Sequence, residues 1–150
     1  MASQGPISND PIEVYHAVRN GSLKYAMYCY YPDSDNITVR EIGLDDPEAG
    51  DEATWEVFLD LLKTDECRYI VYDFLYPGVQ EGKEVTKRKL LYILWWGAPE
   101  GSHVRDKMNL SRHGKRYRDM FGHFDDELHN TFKEWITYPK VVKRLERGAM

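Results

Sequence analysis

The chain has 150 residues, 42% of them hydrophobic and 30% charged, which suits one globular domain and excludes a disordered or fibrous chain. Its net charge of −5 divides unevenly, with 5 Lys/Arg against 16 Asp/Glu in residues 1–82 and 15 against 9 in residues 83–150. An acidic partner should therefore meet the second half, while the longest apolar run, Leu90–Ala98, is too short to cross a bilayer.

Residues 1–9 are small and polar, with Gly5 and Pro6, and read as a mobile arm ahead of one domain spanning residues 10–150. Asp10 followed by Pro11 starts a helix, because Asp accepts from free amides and Pro suits the first turn. Ile12, Tyr15 and Val18 form its apolar stripe, and Asn20-Gly21 ends it. Leu23–Tyr31 and Ile37–Ile42 read as strands of a hairpin turned by Pro32–Asn36. Asp45–Glu52 is an acidic loop. Trp55, Phe58, Leu59 and Leu62 then recur at helical spacing, which predicts a helix over Ala53–Lys63. Cys67–Tyr76 and Lys89–Trp96 are strongly apolar and lack clean polar alternation, as strands buried on both faces do. Pro77–Arg88 between them reads as a loop at an exposed hairpin tip. Cys29 and Cys67 both fall in apolar runs, which predicts buried, reduced thiols.

A helix is predicted over His103–Phe121, capped by Ser102. At 100° per residue, Leu110, Gly114, Tyr117 and Phe121 share one side. Val104, Arg105, Met108, Arg112, Lys115 and Arg116 share the other. Apolar residues set among basic ones suggest a protein contact rather than simple solvation. Phe124 and Leu128 fit a short edge strand, Trp135 and Ile136 read as anchors, and Pro139 opens a last helix. The order of elements predicts an α/β fold with a mixed central sheet and helices on both faces.

Cys67-Arg68-Tyr69-Ile70-Val71-Tyr72-Asp73-Phe74 resembles the central strand of the actin-depolymerising factor/cofilin family. Leu94 to Met108 is similar to that family's strand-turn-helix signature, which runs from an aromatic strand end through Pro and an acidic residue to a basic helix with a Lys-Met pair. The amino terminus, Met1-Ala2-Ser3 and then Ile7-Ser8, also resembles it. The resemblance covers essentially the whole chain. It implies a non-enzymatic ADF-homology domain that binds actin monomers and filaments and promotes depolymerisation and severing. By the same match, the long helix would enter the cleft between two actin subdomains. Val104, Arg105, Lys107, Met108, Arg112 and Arg116 would meet actin there, with Gly5, Pro6, Ile7 and Ser8 of the arm. A second, filament-binding surface would draw on Lys83, Lys87 and Arg88 of the hairpin loop and on Lys140, Lys143 and Arg144 of the last helix. Ser3 matches the family's phosphorylated serine. Binding of phosphatidylinositol bisphosphate, action as a monomer, no cofactor and a cytoplasmic place on the actin cytoskeleton are further expectations.

Two features depart from the family pattern: Asn109 to Gly114, with Arg112 and a helix-interior Gly114, follows the Lys-Met pair where an aromatic and a run of small residues are usual, and Asp125-Asp126 is an unusual acidic pair. A coactosin-like or glia-maturation-factor-like relative is the alternative within the family, against which Lys107-Met108 stands. An anionic-lipid module is the alternative outside it. Nucleic acid is not expected, because the aromatic residues lie in apolar strand runs instead of an exposed basic face. Catalysis is not expected either: His123 to His129 lacks metalloprotease spacing, and no phosphate loop or nucleophile elbow is present.

Overall fold

The computed structural model describes residues 10–31, 36–62, 67–97, 104–130 and 132–148, with side chains except at 30, 31, 36, 104–110, 130 and 148. The expected cap at Ser102 and most of the turn at Pro32–Asn36 lie outside those residues.

Helix α1 (Pro11–Arg19) begins as its sequence dictates: the Asp10 carboxylate accepts from the amides of Ile12 and Glu13 at 2.9 and 3.2 Å. Tyr15 and Val18 are buried as predicted, but Ile12 is 38% exposed and Val14 takes its place in the core. Strands β1 (Tyr25–Tyr31) and β2 (Asn36–Gly43) pair antiparallel. The pairing slips between Met27 and Tyr28, so that Arg40 is an extra residue, and this bulge brings Ile42 to the same face as Ile37 and Val39.

Helix α2 (Asp51–Leu61) starts two residues before the predicted Ala53, after Gly50 at φ +87°, and buries Trp55, Phe58 and Leu59. Strands β3 (Arg68–Gln80) and β4 (Lys83–Trp95) form a long antiparallel pair. Pro77–Arg88 is therefore strand and not loop. Its only turn is Glu81-Gly82, both at positive φ, the geometry that continues the strand twist through a two-residue connection. Pro77 is tolerated because β1 has already left β3. The Asp73 amide donates outward to Lys24 O, so the same-parity position 77 would also have pointed its missing N–H away from β4.

Helix α3 (Val104–Phe121) crosses over to β5 (Asp126–Asn130), which runs parallel to β4. A 3₁₀ turn (Lys133–Trp135) leads into α4 (Tyr138–Gly148). The sheet order is β2-β1-β3-β4-β5. Strand alternation builds two cores on it. Helices α2 and α4 cover Ile70, Tyr72, Phe74, Leu91, Ile93, Trp95 and Leu128. On the other face α1 and α3 cover Tyr28, Tyr69, Val71, Leu90, Tyr92 and Leu94. This is the mixed sheet with helices on both faces that the order of elements predicts.

Ile136 is buried and its carbonyl accepts from Trp55 Nε1 at 2.8 Å, but Trp135 is 60% exposed and packs edge-on against Phe132 at 4.8 Å. Of the two expected anchors, only Ile136 is one. Cys29 and Cys67 are half-buried, less enclosed than their apolar runs suggest.

Candidate functional site

Helix α3 lies close on the sheet because Gly114 lacks a side chain. A Cβ there would stand 2.6 Å from Leu94 Cδ2 and 3.2 Å from Tyr69 Cε1. The Gly114 carbonyl accepts from the buried Tyr92 hydroxyl at 2.8 Å, and Tyr117 and Phe121 complete the inward side. Ser111, Arg112, Lys115 and Arg116 are exposed. Arg116 stacks over Tyr117, its guanidinium carbon 5.1 Å from the ring centre, and donates to the Tyr117 hydroxyl at 3.2 Å. Val104, Arg105, Lys107 and Met108 belong to the first turns of the same helix, and their side chains lie outside the described ones, as do Ser3 and Gly5–Ser8 entirely. Beside the carboxy-terminal half of α3 runs a groove of about 780 Å³ lined by Asp10, Ile12, Ile37, Arg116, Tyr117 and Met120. Its exposed apolar residues, Ile12 and Met120, were not among the expected contacts, because single apolar residues on predicted helices carry no signal of exposure.

The second surface combines the β3–β4 hairpin with α4. Lys83 and Lys87 share a parity with Lys89 on β4, and Lys87 and Lys89 pair opposite Tyr76 and Phe74 of the α4-side core. The stem of Lys87 crosses the bare backbone of Gly78, where a Cβ would fall 2.6 Å from Lys87 Cε. Lys140, Lys143, Arg144 and Arg147 are exposed on α4, while Val141 and Leu145 face the core. Phe132 and Trp135 stand out beside them, and Trp135, His129, Lys140, Arg144 and Arg147 line one groove. Alternation counted from Lys83 would have found Lys89; nothing in the sequence marks Phe132 and Trp135 as surface residues.

Two expected contacts are engaged within the molecule. Arg144 Nε and Nη2 grip the Asp126 carboxylate at 2.8 and 3.1 Å, and Nη2 also donates to Glu127 O at 3.1 Å, tying α4 to β5. Burial raises the Asp126 carboxyl, but the Arg144 and Glu127 hydrogen bonds outweigh it and hold the group below its ordinary value. Asp125 is likewise raised by burial and then brought lower overall by the Leu90 amide and His123. The acidic pair that departs from the family pattern thus braces the end of the sheet. Arg88 points to the α1 side of β4, opposite Lys87. It donates to Asp73, to Val18 O and to Arg19 O.

Among the described residues no cluster of His, Cys, Asp and Glu could hold a metal, and no helix is long and apolar enough to cross a membrane. What the fold presents is two separated basic surfaces, the outer side of α3 and the hairpin–α4 face, each with exposed apolar residues beside it. That arrangement defines a protein-binding module. Residues 5–146 match the profile of the family described as Cofilin/tropomyosin-type actin-binding protein, and the chain belongs to that family.

Relatives agree along the whole length. The chain is 28% identical over 152 residues to cofilin of Yarrowia lipolytica, covering 99% of this chain and 92% of that one. It is 24% identical over 144 residues to cofilin of Eremothecium gossypii, covering 95% and 93%. The solved structure of Streptomyces griseoflavus cofilin superposes with a TM-score of 0.71 at 25% identity, covering 95% of this chain and 98% of that one. Human coactosin-like protein, at 13% identity and a TM-score of 0.69, shares the fold over 90% and 92% of the two chains.

Proposed function

We propose that this protein binds actin monomers and filaments and promotes filament depolymerisation and severing, with no bond made or broken. The observation that carries the reading is the family match over residues 5–146 on a fold whose long helix keeps Arg112 and Arg116 exposed while Gly114, Tyr117 and Phe121 hold it to the sheet. In this reading Val104, Arg105, Lys107 and Met108, with Arg112, Arg116 and the arm at Gly5–Ser8, contact the monomer. Lys83, Lys87, Lys140 and Lys143 meet a second subunit in the filament, and Arg144 acts by holding α4 to β5. Binding that favours a more twisted filament state shifts the filament toward it by differential affinity. The protein acts as a monomer in the cytoplasm.

The test is co-sedimentation with actin filaments, comparing wild type with a Lys107→Ala, Met108→Ala double variant. Wild type is expected to pellet with filaments and raise soluble actin, and the variant to do neither. Wild type that does neither sinks the reading. Pelleting without any rise in soluble actin would replace it with a filament binder of the coactosin kind. The same assay repeated with phosphatidylinositol bisphosphate vesicles, and with Ser3→Asp, tests two regulators. Each should reduce pelleting, the first by covering basic side chains and the second by adding negative charge at an acidic partner. Unchanged pelleting in either arm removes that regulator.

A further inference from the structure

β3 and β4 run on together past their neighbours. β1 pairs with β3 only over Tyr69–Tyr72, and β5 pairs with β4 only over Leu91–Trp95. The Asp73 amide still donates to Lys24 O, and Leu90 still exchanges hydrogen bonds with Asp125, so the free two-stranded ribbon runs from Phe74–Lys89 out to Gln80–Lys83. Such a ribbon is marginally stable alone and twists readily, so the ties at its base decide where its tip points. Beside those bonds at its base, two side-chain ties reach the ribbon among the described residues. On the α4 side, the Tyr138 hydroxyl donates to Leu75 O at 2.8 Å. On the α1 side the tie is Arg88. Its Nε donates to the Asp73 carboxylate, and its Nη2 donates to Val18 O at 3.1 Å and to Arg19 O. Those two carbonyls lie in the last turn of α1, at the negative end of its dipole, and Val18 O also accepts from the Gly21 amide at 3.1 Å. One planar guanidinium thus joins three acceptors on two elements, a geometry the compact ammonium of lysine does not reproduce.

We propose that Arg88 is a positioning residue: it locks the base of the ribbon to the carboxy-terminal end of α1 and so fixes Lys83 and Lys87 relative to α4, without itself touching the filament. The proposal rests on the filament-binding reading above. It accounts for why a cation stands on the face of β4 opposite Lys87, and why its partner Asp73 is only 7% exposed.

Two readouts test it. Amide exchange followed by NMR in Arg88→Ala should quicken at Gln80, Lys83 and Val85 by about tenfold, the loss expected for a charge-assisted hydrogen-bond set, with Ile70 and Tyr92 unchanged. Filament affinity should fall by about as much while monomer affinity holds, with Arg88→Lys intermediate. Asp73→Asn should reproduce both effects, although a residue so buried cannot reach actin. Should Asp73→Asn fail to fold, Arg88→Ala introduced into Lys87→Ala replaces it: a positioning role predicts a smaller loss there than in wild type. Unchanged exchange at the tip overturns the tie whatever actin does. Faster exchange with filament affinity intact overturns its role in binding. A loss seen in Arg88→Ala but not Asp73→Asn, or fully additive with Lys87→Ala, makes Arg88 a direct contact and overturns the proposal. Wild type that binds no filaments refutes the filament reading and this role with it, and the exchange result identifies that case, because it is measured without actin.

Discussion

Gly114→Ala sets two effects of similar size against each other. In an exposed helix interior the change gains about 1 kcal/mol of helix propensity. Here the added methyl would meet Leu94 Cδ2 at 2.6 Å, Leu94 Cγ at 3.2 Å and Tyr69 Cε1 at 3.2 Å. Leu94 and Tyr69 are 3% and 1% exposed, so neither has room to turn away. Overpacking of this kind costs typically about 1–3 kcal/mol, and lifting α3 would also stretch the 2.8 Å bond from Tyr92 to the Gly114 carbonyl. The net expectation is destabilisation by about 1 kcal/mol, which for a chain of this size lowers Tm by about 2–4 °C. Calorimetry of Gly114→Ala beside Lys115→Ala, an exposed neighbour on the same helix, measures it. The control should stay within about 0.5 kcal/mol of wild type. A Gly114→Ala protein as stable as wild type or more so would show that α3 has slack against the sheet, and the account of its close seating would be wrong.

Trp55→Phe removes the buried donor to Ile136 O, leaving that carbonyl unpaired where the 3₁₀ turn enters α4, and should cost about 1–3 kcal/mol in urea unfolding. A loss below about 0.5 kcal/mol would mean the turn is held by packing alone. Acid should loosen the other end of α4. The Asp126 carboxyl sits below its ordinary value of 3.8, so the unfolded chain takes up its proton first. The stabilisation is therefore fully present above about pH 4 and is lost as the pH falls through the lowered value. Thermal melts from pH 6 to 3 should show that loss in wild type and a shallower one in Asp126→Asn; identical slopes would remove the Arg144 tie from the account.

Much of the fold was legible because local rules and tertiary packing agree. Asp10-Pro11 caps α1, Trp55, Phe58 and Leu59 recur at the helical period in α2, and the strongly apolar runs at 69–76, interrupted only by Asp73, and 90–95 are strands covered on both faces. Misreadings fell where a local signal was overruled. Pro77 and Gly78 look like loop residues, yet Pro77 falls on the free edge of β3 and Gly78 makes room for the stem of Lys87. Trp135 looks like an anchor, but the chain turns it outward and buries Ile136 instead.

The candidate surfaces divide in the same way. Helical periodicity by itself put Gly114, Tyr117 and Phe121 on one side of α3 and Arg112 and Arg116 on the other, because 3.6 residues per turn fixes faces without knowledge of the partner. The family signature at Leu94–Met108 likewise needs no coordinates. Tertiary structure alone decided which basic side chains are engaged. Arg88 and Arg144 read as surface cations like Lys87 and Lys143, and only the approach of α1 to β4 and of β5 to α4 turns them into ties. Those acceptors lie 69–70 and 17–18 residues away along the chain, and no local pattern encodes a contact made across that separation.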